Sequence, residues 1–128
     1  MADLKNIALT LEAGQAANNL KEKLGIDDQM ALIRLGFAYA IKHGQPLHRD
    51  TTVGTRGGSN YDTGGLDPDG RMADTVQIYY SADPSVEAEP YRAIEVLMNK
   101  GLRLLAEHVQ QGEIGTVGDL VSSPDSQQ

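Results

Sequence analysis

The chain has 128 residues, 40% of them apolar and 5% aromatic, with no cysteine, no tryptophan, one phenylalanine (Phe37) and a formal net charge of −7. That length is one domain with one modest, aliphatic core. The missing thiols exclude disulfides, a cysteine nucleophile and cysteine-held zinc or iron–sulfur sites, and 11 basic residues against 18 acidic ones argue against the basic footprint of a simple duplex binder.

Met1-Ala2-Asp3-Leu4-Lys5 lacks the apolar run of a signal peptide, and no apolar stretch of about 18 residues is present to span a bilayer. The expectation is a soluble, cytoplasmic protein with no membrane partner. In Lys5 to Leu11, Ile7, Leu9 and Leu11 alternate with Asn6, Ala8 and Thr10. This period of two predicts a short, half-buried strand.

The first helix is expected over Glu12 to Leu24. Thr10 is the chemically suited N-cap, Lys21 and Lys23 complement the dipole in the last turn, and Gly25 ends the helix. Ala13, Ala16, Ala17, Leu20 and Leu24 form its apolar face. The second helix is expected from Asp28 to His43, with Asp27 as N-cap and Gly44 as terminator. Met30, Leu32, Ile33, Leu35, Phe37, Tyr39 and Ile41 leave it apolar nearly all round, and such a helix is buried nearly all round. One small domain offers few neighbours for that. The expectation is therefore a homo-oligomer, dimer or tetramer, with Met30, Ile33, Leu35, Phe37 and Ile41 at the interface. Coverage by the C-terminal helix of the same chain is the alternative.

Half of the 14 glycines fall between Gly44 and Gly70, so Gln45 to Asp74 is expected to be a long loop. Within it, Gly54 to Asn60 offers backbone N–H groups and Arg56 to an anion, although the Gly-Lys-Ser/Thr ending of a phosphate-binding loop is missing. Asp62, Asp67 and Asp69 precede Gly70 without calcium-loop spacing. Thr75 to Tyr80 has β-branched and aromatic residues and is expected to be a second short strand. Asp83-Pro84-Ser85 marks a turn.

A long last helix runs from Glu89 or Pro90 to Gln111, with Tyr91, Ile94, Met98, Leu102, Leu105 and Val109 buried. Gly101 in its middle costs about 1 kcal/mol against alanine, which points to a close helix crossing there. A short turn through Val117, Leu120 and Val121 and a disordered tail over 122–128 complete the expectation. The fold class is mainly α, one domain, with a strand–helix–helix core over 4–44, a Gly-rich loop over 45–74, and a strand and C-terminal helix over 75–121.

The three histidines, His43, His48 and His108, have no metal spacing, and Glu95, Glu107 and His108 on the last helix are expected on a solvated face. No G-x-S-x-G or thiol nucleophile occurs. The expectation is no enzyme, no cofactor and no metal.

The segment from Asn6 to Ile41 resembles ribbon-helix-helix repressors and antitoxins. The strand ends in Thr10-Leu11-Glu12, the first helix closes on Leu24-Gly25-Ile26, and an apolar second helix follows. That resemblance implies strands of two subunits paired antiparallel, with outward residues meeting the DNA major groove; here they would be Asn6, Ala8 and Thr10. The layout of the whole chain is similar to the DndE family, small accessory proteins of bacterial DNA phosphorothioation systems. The residues that carry this are Leu24-Gly25-Ile26, Arg92-Ala93, Asn99-Lys100-Gly101-Leu102 and Gly118-Asp119-Leu120.

This second resemblance implies a helical tetramer without a catalytic centre, associated with DNA or with other modification-system proteins. The lysines on offer for DNA are Lys5, Lys21, Lys23, Lys42 and Lys100. The candidate DNA or anion contacts are Lys5, Asn6, Thr10 and Arg56. The expected function is a non-enzymatic oligomeric accessory protein of a bacterial DNA modification or defence system. The alternative is a ribbon-helix-helix-like regulatory module whose Gly-rich loop docks a partner.

Overall fold

A computed structural model describes residues 3–114. The expected turn at Val117 to Val121, the Gly118-Asp119-Leu120 motif and the expected disordered tail lie outside the described residues. The elements in order are β1 (Asn6–Ala8), α1 (Leu11–Leu24), α2 (Gln29–Lys42), β2 (Asn60–Asp62), α3 (Thr63–Leu66), α4 (Arg71–Tyr79), α5 (Pro84–Ala88) and α6 (Pro90–Gln110). The fold is mainly α, as expected, with one small antiparallel sheet and a long C-terminal helix.

The first helix begins as its sequence dictates. Thr10 is the N-cap, accepting from the N–H of Ala13, and Gly25 ends the helix at φ 69°. The helix buries Ala13, Ala16, Ala17 and Leu20. The second helix is capped by Asp28 rather than Asp27; its carboxylate accepts from the N–H groups of Met30 and Ala31. Leu11, expected inside, is the first residue of α1 and is 48% exposed.

The centre of the molecule is the pair α2 and α6, which pack along each other. They approach backbone to backbone at Gly36 and Gly101, where a Cβ built on Gly101 would lie 1.7 Å from the Gly36 carbonyl oxygen. The expectation of a close crossing at Gly101 is met, and the glycine opposite it had not been foreseen. Around the crossing, Leu32, Ile33, Ala40, Leu97 and Leu102 are fully buried.

This arrangement corrects the oligomer argument. Ile33 and Phe37, expected at an interface between chains, are buried in the core of a single chain. Met30, Leu35 and Ile41 are half-buried against that same core. The chain's own C-terminal helix supplies the cover that a second subunit was expected to supply.

The expected strand at Thr75 to Tyr80 is a helix, α4, and the second strand lies earlier, at Asn60–Asp62. Asp67 decides this. Its carboxylate accepts from the N–H groups of Met72 and Ala73, so the first turn of α4 is capped from three residues before Gly70. Met72 and Val76, one helical turn apart, are then buried while Ile78 and Tyr79 face outward. This local cap outweighs the β preference of Val76, Ile78 and Tyr79. The expected turn at Asp83-Pro84-Ser85 opens the short helix α5, with Asp83 accepting from the Ser85 N–H.

β1 and β2 pair antiparallel, Ile7 opposite Tyr61. The strand–helix–helix order of the ribbon-helix-helix resemblance is present, yet the partner strand comes from the same chain. The other edge of β1 is also taken. Ala8 N–H donates to Glu95 (2.9 Å) and Thr10 N–H to Asn99 (2.8 Å), while the Asn99 amide donates to the Ala8 carbonyl (2.9 Å). From Ala8 to Thr10 the outer edge is thus bonded to side chains of α6, which removes that stretch as a template for a second subunit's strand.

Candidate functional site: a strapped groove and a tyrosine–histidine cluster

The first half of the segment expected to be a long Gly-rich loop, residues 46–59, is a strap bonded to the β1–α1 junction, α1 and α6; its second half holds β2, α3 and the start of α4. Lys100 is the main pin. It is 2% exposed, and its ammonium donates to the carbonyl oxygens of Pro46 (2.6 Å) and His48 (2.8 Å), with the Asp50 carboxylate 3.6 Å away. Two hydrogen bonds and a nearby carboxylate thus compensate the buried ammonium, which is what a buried lysine requires. Arg103 donates to the Thr51 carbonyl, Thr10 donates to the Val53 carbonyl, and Arg49 pairs with Glu95.

Further along, the strap lies flush on the start of α1. Leu11 N–H donates to the Thr55 carbonyl and Leu9 N–H to the Ser59 carbonyl. A Cβ on Gly58 would stand 2.2 Å from the Leu9 carbonyl oxygen, and one on Gly54 2.6 Å from the Thr10 hydroxyl, so only glycine allows this approach. Glu12 closes the contact, accepting from the Thr55 N–H (2.7 Å) and hydroxyl (2.9 Å). The Thr55 N–H, the backbone N–H of Glu12 itself and the Thr55 hydroxyl hold the Glu12 carboxyl below its ordinary 4.5. The Thr52 hydroxyl and N–H likewise hold Asp50 below the ordinary range.

The expected anion and DNA contacts are therefore redistributed. In the Gly54–Asn60 segment, the Thr55 N–H is already held by a carboxylate, that of Glu12. Thr10 is buried and occupied as an N-cap, so it is withdrawn as a contact. Lys5, Asn6 and Arg56 are exposed. Arg56 follows Thr55, which faces Leu11, and the separation from Lys5 to Leu11 is roughly 20 Å at about 3.3 Å per extended residue. Asn6 lies near Lys5, but Arg56 does not join them in one patch.

Most other cations are turned inward or paired. Arg34 donates to the Leu66 carbonyl, Arg71 pairs with Asp69 and Arg92 with Glu89. Asp62 caps α3 and Asp67 caps α4, so the aspartates once weighed as calcium ligands serve helix ends. No group of three or more His, Cys, Asp or Glu side chains stands together as a metal site among the described residues.

Between α1 and α6, with the strap as a side wall, runs an open groove of about 750 Å³. Leu104, Ala106 and Val109, all half-buried, give it apolar surface; Glu12, Lys23, Arg103 and Glu107 bring both signs of charge to it. Gln45 and Thr52 of the strap line it too. Its wall is rigid because Arg103 and Lys100 both line the groove and hold strap carbonyls.

A second cluster joins residues that the sequence scatters. Tyr39 and His43 lie one turn apart at the end of α2, and His108 lies in the last turn of α6. The Tyr39 hydroxyl is hydrogen-bonded to Nδ1 of His108. The rings of Tyr39 and His43 are 4.4 Å apart, and those of His43 and His108 are 5.4 Å apart. Burial, with the Glu113 charge behind it, pushes the Tyr39 phenol up to about 12. His108, expected on a solvated face, is half-buried here, and Glu95 is bonded to β1. The only signal for the cluster was the apolar stripe that makes α2 and α6 neighbours; without their register, His43 and His108 could not be paired.

No helix among the described residues is long and apolar enough to cross a membrane. Comparison with protein-family models, curated proteins and solved structures finds no match for the chain.

Proposed function

We propose that the chain is a non-catalytic accessory protein of a bacterial DNA modification or defence system, working in the cytoplasm by holding a segment of a partner protein in the groove between α1 and α6. The observation that carries this reading is the groove itself. About 750 Å³ of space combines a half-buried apolar strip (Leu104, Ala106, Val109) with charges of both signs (Glu12, Lys23, Arg103, Glu107), which is the lining an amphipathic peptide segment needs. The sequence resemblance to the phosphorothioation accessory family is the ground for the system, and the groove is the ground for the mode of action.

Two further observations favour protein over DNA as the immediate partner. Net charge is −7, and Arg34, Lys100 and Arg103 are committed to backbone carbonyls of the chain itself. Three further side chains with acid or base chemistry are engaged structurally: Glu95 on β1, Asp67 on α4, Lys100 on the strap.

The test is co-expression with the products of neighbouring genes. One of them is expected to form a stoichiometric complex that is lost on Leu104→Glu in the groove and kept on Ile78→Ser outside it. A complex insensitive to Leu104→Glu refutes the groove. Anisotropy of labelled duplex DNA at low salt is expected to stay flat; saturable binding that weakens with salt would move the function to DNA.

A further inference from the structure

We infer that the occupant of the groove between α1 and α6 is an extended segment of the partner protein, about five residues long, held through its main chain and carrying a basic side chain at the end away from the strap. This rests on the groove reading given above and specifies the chemistry that the groove accepts.

The length follows from the walls. At one end Glu12 of α1 and Arg103 of α6 both bond the strap, at Thr55 and Thr51. From there α1 lines the groove with Glu12, Gln15, Asn19 and Lys23, a stretch of about 16 Å at 1.5 Å per residue. An extended chain covers that distance in about five residues. Strand and sheet spacings of about 4.8 and 10 Å give each residue about 160 Å³, so five residues match the groove's volume of about 750 Å³. One face of a helix would fill a similar space, so the polar walls decide between the two.

Those walls carry amides. Gln15 and Asn19 lie one turn apart on α1, Gln110 ends α6, and Gln45 stands where α2 meets the strap; all line the groove, and their side chains bond to no other described residue. A bound helix offers them little, because its main-chain N–H and C=O groups pair with one another. An extended segment brings one N–H and one C=O per residue that need partners once water is displaced, and an amide side chain both donates and accepts. Alternate side chains of such a segment point the same way, onto the strip of Leu104, Ala106 and Val109. Charge sets the direction. Glu12 and Arg103 are committed to the strap, which leaves Glu22, Lys23 and Glu107, one negative charge in excess, beyond it. A basic side chain at that end of the segment complements them.

The experiment selects from a phage-displayed library of random peptides, about 12 residues each (long enough for three helical turns), on the full chain. Peptides that also bind Leu104→Glu are discarded, and synthetic copies of the rest are measured by fluorescence anisotropy. The selected peptides are expected to alternate apolar and polar residues and to carry lysine or arginine at one end. Asn19→Leu and Gln110→Leu are each expected to weaken them about fivefold or more, and Glu107→Gln about twofold with a flatter salt dependence. Asn19 and Gln110 are exposed, so the thermal melts of these variants are expected to match that of the parent chain. Peptides with apolar residues at i, i+3 and i+4, or affinities unchanged in both Asn19→Leu and Gln110→Leu, would overturn the inference and leave the groove reading standing. A selection that yields no peptide dependent on Leu104 would overturn both.

Discussion

Gly101→Ala is the sharpest probe of the fold, because two known effects oppose each other at that position. In an isolated helix, alanine is favoured over glycine by about 1 kcal/mol. Here the new methyl would lie 1.7 Å from the Gly36 carbonyl oxygen and 2.5 Å from its carbonyl carbon. A carbon and an oxygen need roughly 3.2 Å, so α2 and α6 would have to part by about 1.5 Å; backbone offers no rotamer to relieve this.

A gap near 1 Å forfeits a quarter to a half of each dispersion contact across it. Leu32 and Ile33 on α2 and Leu97 and Leu102 on α6 are fully buried, each worth about 2 kcal/mol. Partial loss from four such side chains costs about 2–4 kcal/mol, which exceeds the helix gain and leaves a net loss of about 2 kcal/mol. For a chain of this length that lowers Tm by roughly 6–10 °C. Gly14 is the internal control: it lies within α1, and a Cβ there meets nothing within 4 Å. Gly14→Ala is expected to raise Tm by about 3–5 °C. Paired thermal melts followed by circular dichroism decide the matter. If both substitutions stabilise, the helices do not cross at Gly36 and Gly101.

Other consequences are as direct. Lys100→Met strands the Pro46 and His48 carbonyls and is expected to cost about 2 kcal/mol, with faster amide exchange confined to the strap; uniform exchange across the chain would contradict its role as the pin. Because Glu12 has a lowered folded pKa, its contribution is full above about 4.5 and lost as pH falls through the folded value. The Thr55 amide resonance should report a midpoint below 4.5, and a midpoint at or above 4.5 would disprove the contact. Tyr39 and Tyr91 are both pushed up to about 12 by burial, so phenolate absorbance should lag there and stability should fall as pH rises above 10. Tyr39→Phe should remove one of these late ionisations. Light scattering is expected to give the mass of one chain, since α6 covers α2.

What could be read from the sequence was what local chemistry determines. Thr10 caps α1 because its hydroxyl lies within reach of an orphan N–H, and no distant residue is needed for that. Gly101 in a strongly periodic helix announced a close approach, although only the fold could name Gly36 as its partner. Two of the errors concerned a polar side chain whose partner is far away in the chain: Lys100 holding Pro46 and His48, and Glu95 and Asn99 bonding the edge of β1. The third was local: Asp67 caps α4 from five and six residues ahead, and the β preference of Val76 and Ile78 hid that signal.

A glycine-rich composition is ordinarily a sign of flexibility, because glycine has the most backbone freedom to lose. In this chain Gly54 and Gly58 serve the opposite end. Their missing side chains let the strap come close enough for Thr10, Glu12 and the Leu9 carbonyl to meet it. The same logic explains why the candidate sites were invisible. The groove exists only once the strap walls one side of α1 and α6, and the histidine pair exists only once the Gly36–Gly101 crossing sets the register of α2 against α6. If that register is right, His43 and His108 must meet at the far end of the two helices. The Tyr39–His108 hydrogen bond and the fall in Tm of Gly101→Ala are therefore linked, and in Gly101→Ala the Tyr39 and His108 ring resonances should shift as well.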